Sequence, residues 1–548
     1  MNKKSKEPVV QSTYAHSRPQ SCVAVLRQQQ TRVLSPCWCS KRRLPSVLVY
    51  LSGVYESPFA RQTIQVRPWQ IRRMIRPCAI AFLLLLIQLF GKSRCDEVYT
   101  CDSDSVLPSG LVREIRSYAS VVNQIIDTVV YGAEQNVTYD ELAKFVDTFG
   151  ARPSGSQSLE NSIDYMFELL RDKGLDFVHL ENVSVVNWQR GHEEAWMIKP
   201  RQKKMDILGL GNSIATPTKG IEAPVLVVQS FGDLEANSVK AAGKIVVFNQ
   251  EFVSYKATVK YRVQGASAAA KVGAVAALVR SVTPMSVNSP HTGYMMYDED
   301  TPKIPTAAIT VEDAELMARL QERGIEPVVR LVMGAKSLPP APSRNTVAEI
   351  RGKHKPEEVV LLSGHLDSWD VGQGAMDDGA GAFVSWRALD VLRKMGLKPR
   401  RTLRCVLWTD EEIGTVGAKQ YFQRHFDHER HFMNLMMESD SGTFRPLGLG
   451  FSSSNDRARC IVAEVLRLFA PINATRLTLG ASAPDLTLWI KEGIPAASLS
   501  TANEKYFIFH HTEGDTMSVL DRRELDLCTA LWAAASFVFA DLSVRLPR

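Results

Sequence analysis

From residue 359 to residue 542 short apolar runs alternate with helix-forming stretches, and no other feature of the chain limits its fold so tightly. Strand-like runs fall at 359–363, 402–409, 432–438 and 496–499, with helical patterns at 379–395, 417–426, 457–469 and 523–542. Runs such as VVLLS and FMNLMME are apolar at successive positions. Strands of that kind need cover on both faces. The pattern predicts an α/β domain with a doubly wound, mostly parallel sheet, whose ligands should gather at the strand C-termini.

Upstream the texture differs. Residues 97–187 read as helices: 122–130 is apolar, and 161–173 (NSIDYMFELLRDK) puts Ile163, Met166, Leu169 and Leu170 on one face before Gly174. Between them Arg152-Pro-Ser-Gly-Ser156 is turn chemistry. Residues 203–337 change to short β-rich runs (223–229, 243–248, 274–280, 304–311, 327–333) around an alanine-rich helix at 265–272 and a charged one at 311–323. That alternation predicts a self-contained α/β insert. Residues 337–343 (SLPPAPS) read as its exit linker. The expected organisation is 96–202 as the N-terminal part of the main domain, with a propeptide at its start, then the insert at 203–337 and the catalytic part at 338–548.

The formal net charge of +6 does not signal a nucleic-acid partner, because residues 1–94 hold 16 Lys and Arg against 2 Asp and Glu. The remainder has 49 basic and 57 acidic side chains, a net −8. Its aromatics are not interleaved with basic residues. The run 78–90 (CAIAFLLLLIQLF), at 13 residues, is shorter than the roughly 20 that span a bilayer. With Arg76 ahead of it and a polar exit after it, 74–95 reads as a signal peptide starting at Met74, leaving no stable membrane insertion after its removal. Residues 1–73 then read as a gene-model extension or a disordered basic tail, in which Cys37 and Cys39 lack a second pair for zinc. A secretory route gives meaning to three glycosylation triplets, at Asn136, Asn182 and Asn473. It implies an extracellular protein, or one of the lysosome, endoplasmic reticulum or Golgi. Of the four cysteines after residue 96, Cys405 lies in an apolar run and reads as a buried free thiol.

Polar residues cluster where the strand-end rule points. One strand runs into His365-Leu-Asp367, the next into Glu411-Glu412, and a third into Ser439-Asp440; His510-His511 precedes the last helix, and Asp377-Asp378 starts the helix after His365. Five oxygen or nitrogen ligands plus a spare carboxylate suit two divalent ions sharing one carboxylate. The segments GHLDSWDVGQGAMDDGAGAFVSW, LWTDEEIGTVGA, MESDSGTF and YFIFHHTEGDTM resemble the metal-site segments of the M28 family of co-catalytic zinc peptidases, and the resemblance runs from about residue 98 to residue 547. It implies the zinc exopeptidase fold with two Zn²⁺ per chain: His365 and Asp440 on one, Glu412 and His511 on the other, Asp377 bridging. Glu411 would be the general base toward a zinc-bound water. The insert would be a protease-associated-like domain restricting entry to short peptides, mainly dipeptides with free termini, and the chain would form a homodimer.

Neighbouring residues carry further expectations. Asp367 is placed to orient the His365 imidazole and Asp515 to hold His511. His510 stands where many relatives carry a Tyr that polarises the substrate carbonyl, a transition-state role. Asp378 and Glu438 compete with Asp377 and Asp440 as ligands. His192-Glu193-Glu194-Ala195-Trp196 lacks the second His of HExxH, no GxSxG is present, and Gly209-Leu-Gly211 is not a dinucleotide loop. His425, His428 and His431 read as a solvated face. Three rivals stand beside the peptidase: an inactive receptor-like ectodomain, a single-zinc glutaminyl cyclase-type enzyme, and a binding module built on the insert.

Overall fold

The computed structural model describes residues 98–548; the expected signal segment, residues 1–73, Cys37 and Cys39 lie outside the described residues. Period-two alternation in the central strands feeds two cores. Val360 and Leu362 of Lys355–His365 pack with Leu403, Cys405 and Leu407 of Arg401–Trp408 on one face, while Val359, Leu361, Val406 and Trp408 pack on the other. The first face is covered by helices Ala380–Lys394 and Arg522–Asp541, the second by Val416–Glu429 and Thr487–Lys491. Asp521 starts the last helix by accepting hydrogen bonds from the amides of Arg523 (2.9 Å) and Glu524 (3.0 Å), a cap worth about 1 kcal/mol. Trp532, Phe537 and Phe539 of that helix are buried within the chain's own core.

Across this eight-stranded sheet the order is Asp176–Gln189, Lys336–Ile350, Arg401–Trp408, Lys355–His365, Met433–Glu438, Ala496–Thr501, Pro446–Ser452, Arg476–Leu479. The four central strands from Arg401–Trp408 to Ala496–Thr501 are parallel, and antiparallel pairs flank them. Two expectations are corrected here. The helical reading of 97–187 fails at Asp176–Gln189, a 14-residue edge strand, and the expected linker 337–343 lies inside the 15-residue strand Lys336–Ile350 that pairs with it. Pro339, Pro340 and Pro342 are compatible with a strand because that half pairs on one side only, pairing with Arg401–Trp408 being confined to residues 346–350.

A second eight-stranded sheet is built from Glu193 to Met333, so it takes in Glu193–Lys199 ahead of the expected start at 203. Ile221–Val228, Ile245–Phe248, Ala276–Arg280 and Thr306–Ile309 run parallel at its centre, and it has two cores of its own. Arg190 ties this unit to the main sheet's loops through a two-pronged pair with Asp370 (2.8 and 2.5 Å).

A disulfide joins Cys101 to Cys460, and Cys405 and Cys528 are buried free thiols. Asn473 and Asn182 are exposed and Asn136 is half-buried; Asn182 sits in a strand instead of the expected loop. His425 is not part of a solvated triad. It packs against Tyr421 with the rings tilted by 30° (centroids 4.2 Å apart) and bonds Glu181 at 2.9 Å, while His428 and His431 are exposed. Among the described residues no helix is long and apolar enough to cross a membrane.

Candidate metal centre

Parallel pairing brings the polar strand ends to one edge. His365 is level with Trp408 of the neighbouring strand, and Ser363 with Glu438, so residues 409–412 and 439–440 emerge beside one another. The helix that follows Asp377-Asp378 approaches this edge closely: a Cβ at Gly381 would collide with the Ser439 carbonyl and the Asp378 carboxylate. His511 is held at φ 63°, a left-handed conformation uncommon for a non-glycine residue and concentrated at functional sites.

The resulting cluster is buried and polar. His365 Nε2 lies 3.6 Å from Asp377, 3.7 Å from Asp440 and 3.9 Å from Glu411. His511 Nε2 lies 3.0 Å from Glu412 and 3.3 Å from Asp377. Asp377 therefore stands between two imidazoles. His510 is a third, 3.5 Å from Asp377 and stacked on His511 with ring centroids 3.5 Å apart. Two sets of donor atoms, His365/Asp377/Asp440 and Asp377/His510/His511, each lie within 4.8 Å of one another. The cluster opens on a cavity of about 770 Å³ whose walls include Glu411, Glu412, Asp440 and His511 from the main sheet and Tyr255, Arg262 and Tyr294 from the second unit.

Electrostatics sort these groups. Burial raises Glu411, Glu412 and Asp440 above the ordinary carboxylate range, with His365 or His511 opposing it. Asp377 is the exception: burial pushes it up, but His365 and His511 hold it well below that range. Burial lowers His511 and His365, yet the facing carboxylates, with Glu412 first for His511 and Asp367 first for His365, hold both well above their ordinary value. Burial, followed by the neighbouring His511, keeps His510 well below its own.

The supporting residues differ from expectation in two places. Asp515 does not hold His511. Its carboxylate accepts the amides of Ala375 (3.1 Å), Met376 (2.7 Å) and Asp377 (3.1 Å), three converging donors that need an acceptor, and burial beside Asp377 raises it to about 7. His511 Nδ1 instead meets the Thr292 carbonyl at 3.1 Å, and the Thr292 amide returns a bond to the His511 carbonyl. Asp367 orients His365 mainly through its main-chain carbonyl (2.9 Å to Nδ1); its carboxylate, 3.6 Å away, accepts the amides of Glu411 (3.0 Å) and Glu412 (3.1 Å). Asp378 points away from the cluster and binds the amides of His365 and Gly381 (both 3.1 Å). Glu438 is fully buried and accepts the Asp485 amide.

Three contributors escaped the sequence reading. Arg152, buried within the turn motif, donates to the carbonyls of Gly150, Leu366, Gln373 and Gly374 and so ties down the loops that carry His365 and Asp377. The Arg-Pro-Ser-Gly-Ser motif was the only signal for it. Thr292 and Arg262 come from the second unit, and no pattern in the chain ties them to the site. Removing the Asp515 carboxylate in Asp515→Ala should loosen the Asp377 loop and weaken metal affinity about 10–100-fold, as measured by competition with a chelator.

Nitrogen and carboxylate donors, buried and in anionic excess, fit divalent metal ions. His365 Nε2 and Asp377 Oδ2 have no hydrogen-bond partner although both are buried, as metal-facing atoms would be. A doubly wound sheet carrying such a cluster at its strand C-termini fits a metal-dependent hydrolase. The chain belongs to peptidase family M28, whose model matches residues 345–536. It is 52% identical to carboxypeptidase Q of Xenopus laevis over 85% of this chain and 99% of the relative, and 53% identical to carboxypeptidase Q of Homo sapiens over 79% and 92%. A crystal structure of a peptidase M28 precursor from Shewanella amazonensis superposes with a TM-score of 0.75 at 31% identity, covering 79% of this chain and 99% of that one. A zinc aminopeptidase from Bacillus subtilis shares the fold, with a TM-score of 0.58 at 18% identity over 75% and 96%. The protein is a hydrolase of the metallo-exopeptidase class, acting on peptides.

Proposed function

We propose that the protein is a two-zinc carboxypeptidase or dipeptidase that cleaves short peptides, dipeptides with free termini foremost. The observation that carries this reading is Asp377 held between His365 and His511, each backed by a second carboxylate. His365 and Asp440 would hold one ion, His511 and Glu412 the other, with Asp377 shared. Zinc bound there supplies Lewis acidity, polarising the scissile carbonyl and lowering the pKa of water. Glu411, 3.9 Å from His365 and raised by burial, takes the proton of the attacking water and returns it to the leaving amine. Asp367 fixes the Glu411 main chain for that transfer. His510, held neutral, faces the cavity to bind the substrate carbonyl as charge develops on it.

The second unit, which takes up the expected insert and spans Glu193 to Met333, is read as a protease-associated-like insert that narrows the cavity, since Tyr255, Arg262 and Tyr294 stand in its wall. The Cys101–Cys460 disulfide supports folding in an oxidising compartment and hence a secretory, extracellular or lysosomal location. Homodimer formation and N-glycosylation at Asn136, Asn182 and Asn473 belong to the same reading. Its test is a comparison of a dipeptide with a decapeptide sharing its end residues, using zinc-loaded protein. The expected result is kcat/KM at least about 10-fold higher for the dipeptide, the scale of a modest steric difference. Equal rates would remove the size restriction, and cleavage of neither would remove the peptidase assignment.

A further inference from the structure

His365 and His511, the two imidazoles proposed as ligands, are oriented by different parts of the chain. His365 Nδ1 meets the main-chain carbonyl of Asp367, two residues along its own loop, at 2.9 Å. His511 Nδ1 meets the carbonyl of Thr292, 219 residues away in the second unit, at 3.1 Å. A carbonyl can only accept, so each contact places the ring proton on Nδ1 and leaves the Nε2 lone pair for a metal. One imidazole is set locally and the other by the second unit.

The hold on His511 extends along its segment. The carbonyls of Phe507, His510 and His511 accept in turn from the Thr283 hydroxyl (2.5 Å), His291 Nδ1 (2.7 Å) and the Thr292 amide (3.1 Å). Residues 283–292 therefore form a bracket along the stretch that carries His510-His511. The left-handed backbone of His511 is a conformation that persists where its surroundings over-determine it. The bracket is itself pinned. The Thr292 hydroxyl donates to the Gly209 carbonyl at 2.8 Å, and Arg190, at the crossing into the second unit, donates to that carbonyl and to the Thr292 hydroxyl (3.3 Å) while it pairs with Asp370. The loop of His365 has supports from the main domain instead: Arg152 binds the carbonyls of Leu366, Gln373 and Gly374, and Asp378 accepts the His365 amide.

We infer that residues 283–292, pinned by Arg190, position the metal ion held by His511 and Glu412, so that binding of that ion and seating of the second unit stabilise each other, while the ion held by His365 and Asp440 is indifferent to the second unit. The inference rests on the two-zinc reading given above and adds to it an asymmetry between the two ions. Linkage makes the effect reciprocal: whatever factor the seated unit adds to the affinity of the ion, the ion adds to the seating.

The test measures zinc affinity by chelator competition in two backgrounds, each left with one ion. Asp440→Ala keeps the ion of His511 and Glu412, and Glu412→Ala keeps the ion of His365 and Asp440. Into each go Arg190→Gln, which unpins the bracket, and His291→Phe, which removes one bracket contact while keeping a ring in place of one whose Nε2 has no partner. In the Asp440→Ala background Arg190→Gln should weaken zinc about 10–100-fold, and in the Glu412→Ala background less than about 2-fold. His291→Phe should act in the same direction and carries the comparison if Arg190→Gln does not fold; Arg190→Lys should recover part of the loss. Equal weakening in both backgrounds would overturn the inference, reducing Arg190 to general support of the fold, and so would unchanged affinity in both. Hydrogen–deuterium exchange reads the reverse direction. Zinc should slow exchange across 283–292 in Asp440→Ala and not in Glu412→Ala; slowing in both, or in neither, would contradict the linkage. Wild type that binds no zinc would sink the two-zinc reading itself. There, or where a background holds no zinc, exchange in the metal-free protein decides the bracket: His291→Phe and Arg190→Gln should speed exchange across 506–511 and leave 363–366 unchanged, whereas an equal change in both segments, or none, would overturn it.

Discussion

Replacing Glu411 by Gln is expected to lower turnover at least about 10²-fold while leaving metal content unchanged. The carboxylate sits 3.9 Å from His365 Nε2, farther than Glu412 sits from His511, and its main chain is pinned by Asp367 whatever the side chain carries. Glutamine preserves shape and burial and removes only the capacity to take a proton. Elemental analysis beside steady-state kinetics separates the outcomes. Retained metal with lost turnover makes Glu411 the base, whereas loss of metal together with activity would make it a ligand.

A larger effect is expected at Asp377. Asp377→Ala withdraws the carboxylate that faces both His365 and His511, leaving the His365–Asp440 and His511–Glu412 pairs without their shared partner. Metal retention should fail, and with it several kcal/mol of transition-state stabilisation, so kcat should fall at least about 10³-fold. Asp378→Ala provides the contrast. That carboxylate serves the amides of His365 and Gly381, so its removal should cost about 1–3 kcal/mol of stability, read from a denaturant melt, while at least one metal stays bound. Metal analysis giving the reverse would shift the bridging role by one residue.

Much of this was legible in the chain because parallel strands bury both faces. Runs such as VVLLS cannot be mistaken for solvated strands, and the rule that places chemistry at strand C-termini then led to His365, Glu411-Glu412 and Asp440 without knowledge of their packing. The strand at Asp176–Gln189 was hidden because it follows two helices and pairs with residues roughly 160 positions away, a partnership local pattern does not carry. Its partner was hidden by three prolines, which ordinarily argue against a central strand but fit a half-strand paired on one side. At the site, residue types gave candidate ligands but not orientation. An Asp four residues after His511 is a reasonable candidate to hold it, and only the fold shows three amides from 375–377 converging on Asp515 while a threonine carbonyl from the second unit takes the imidazole. Arg262 lies 249 residues from the histidine it touches, a separation that local pattern does not bridge.

The shared-carboxylate centre is tested most directly by metal stoichiometry. Protein equilibrated with zinc, freed of loosely held ion by gel filtration and measured by elemental analysis against protein concentration, should retain two zinc ions per chain, falling below one in Asp377→Ala. One ion per chain in the wild type, unaffected by Asp377→Ala, would contradict a shared bridge and favour a single-zinc enzyme on the same fold; none would contradict metal-dependent hydrolysis altogether.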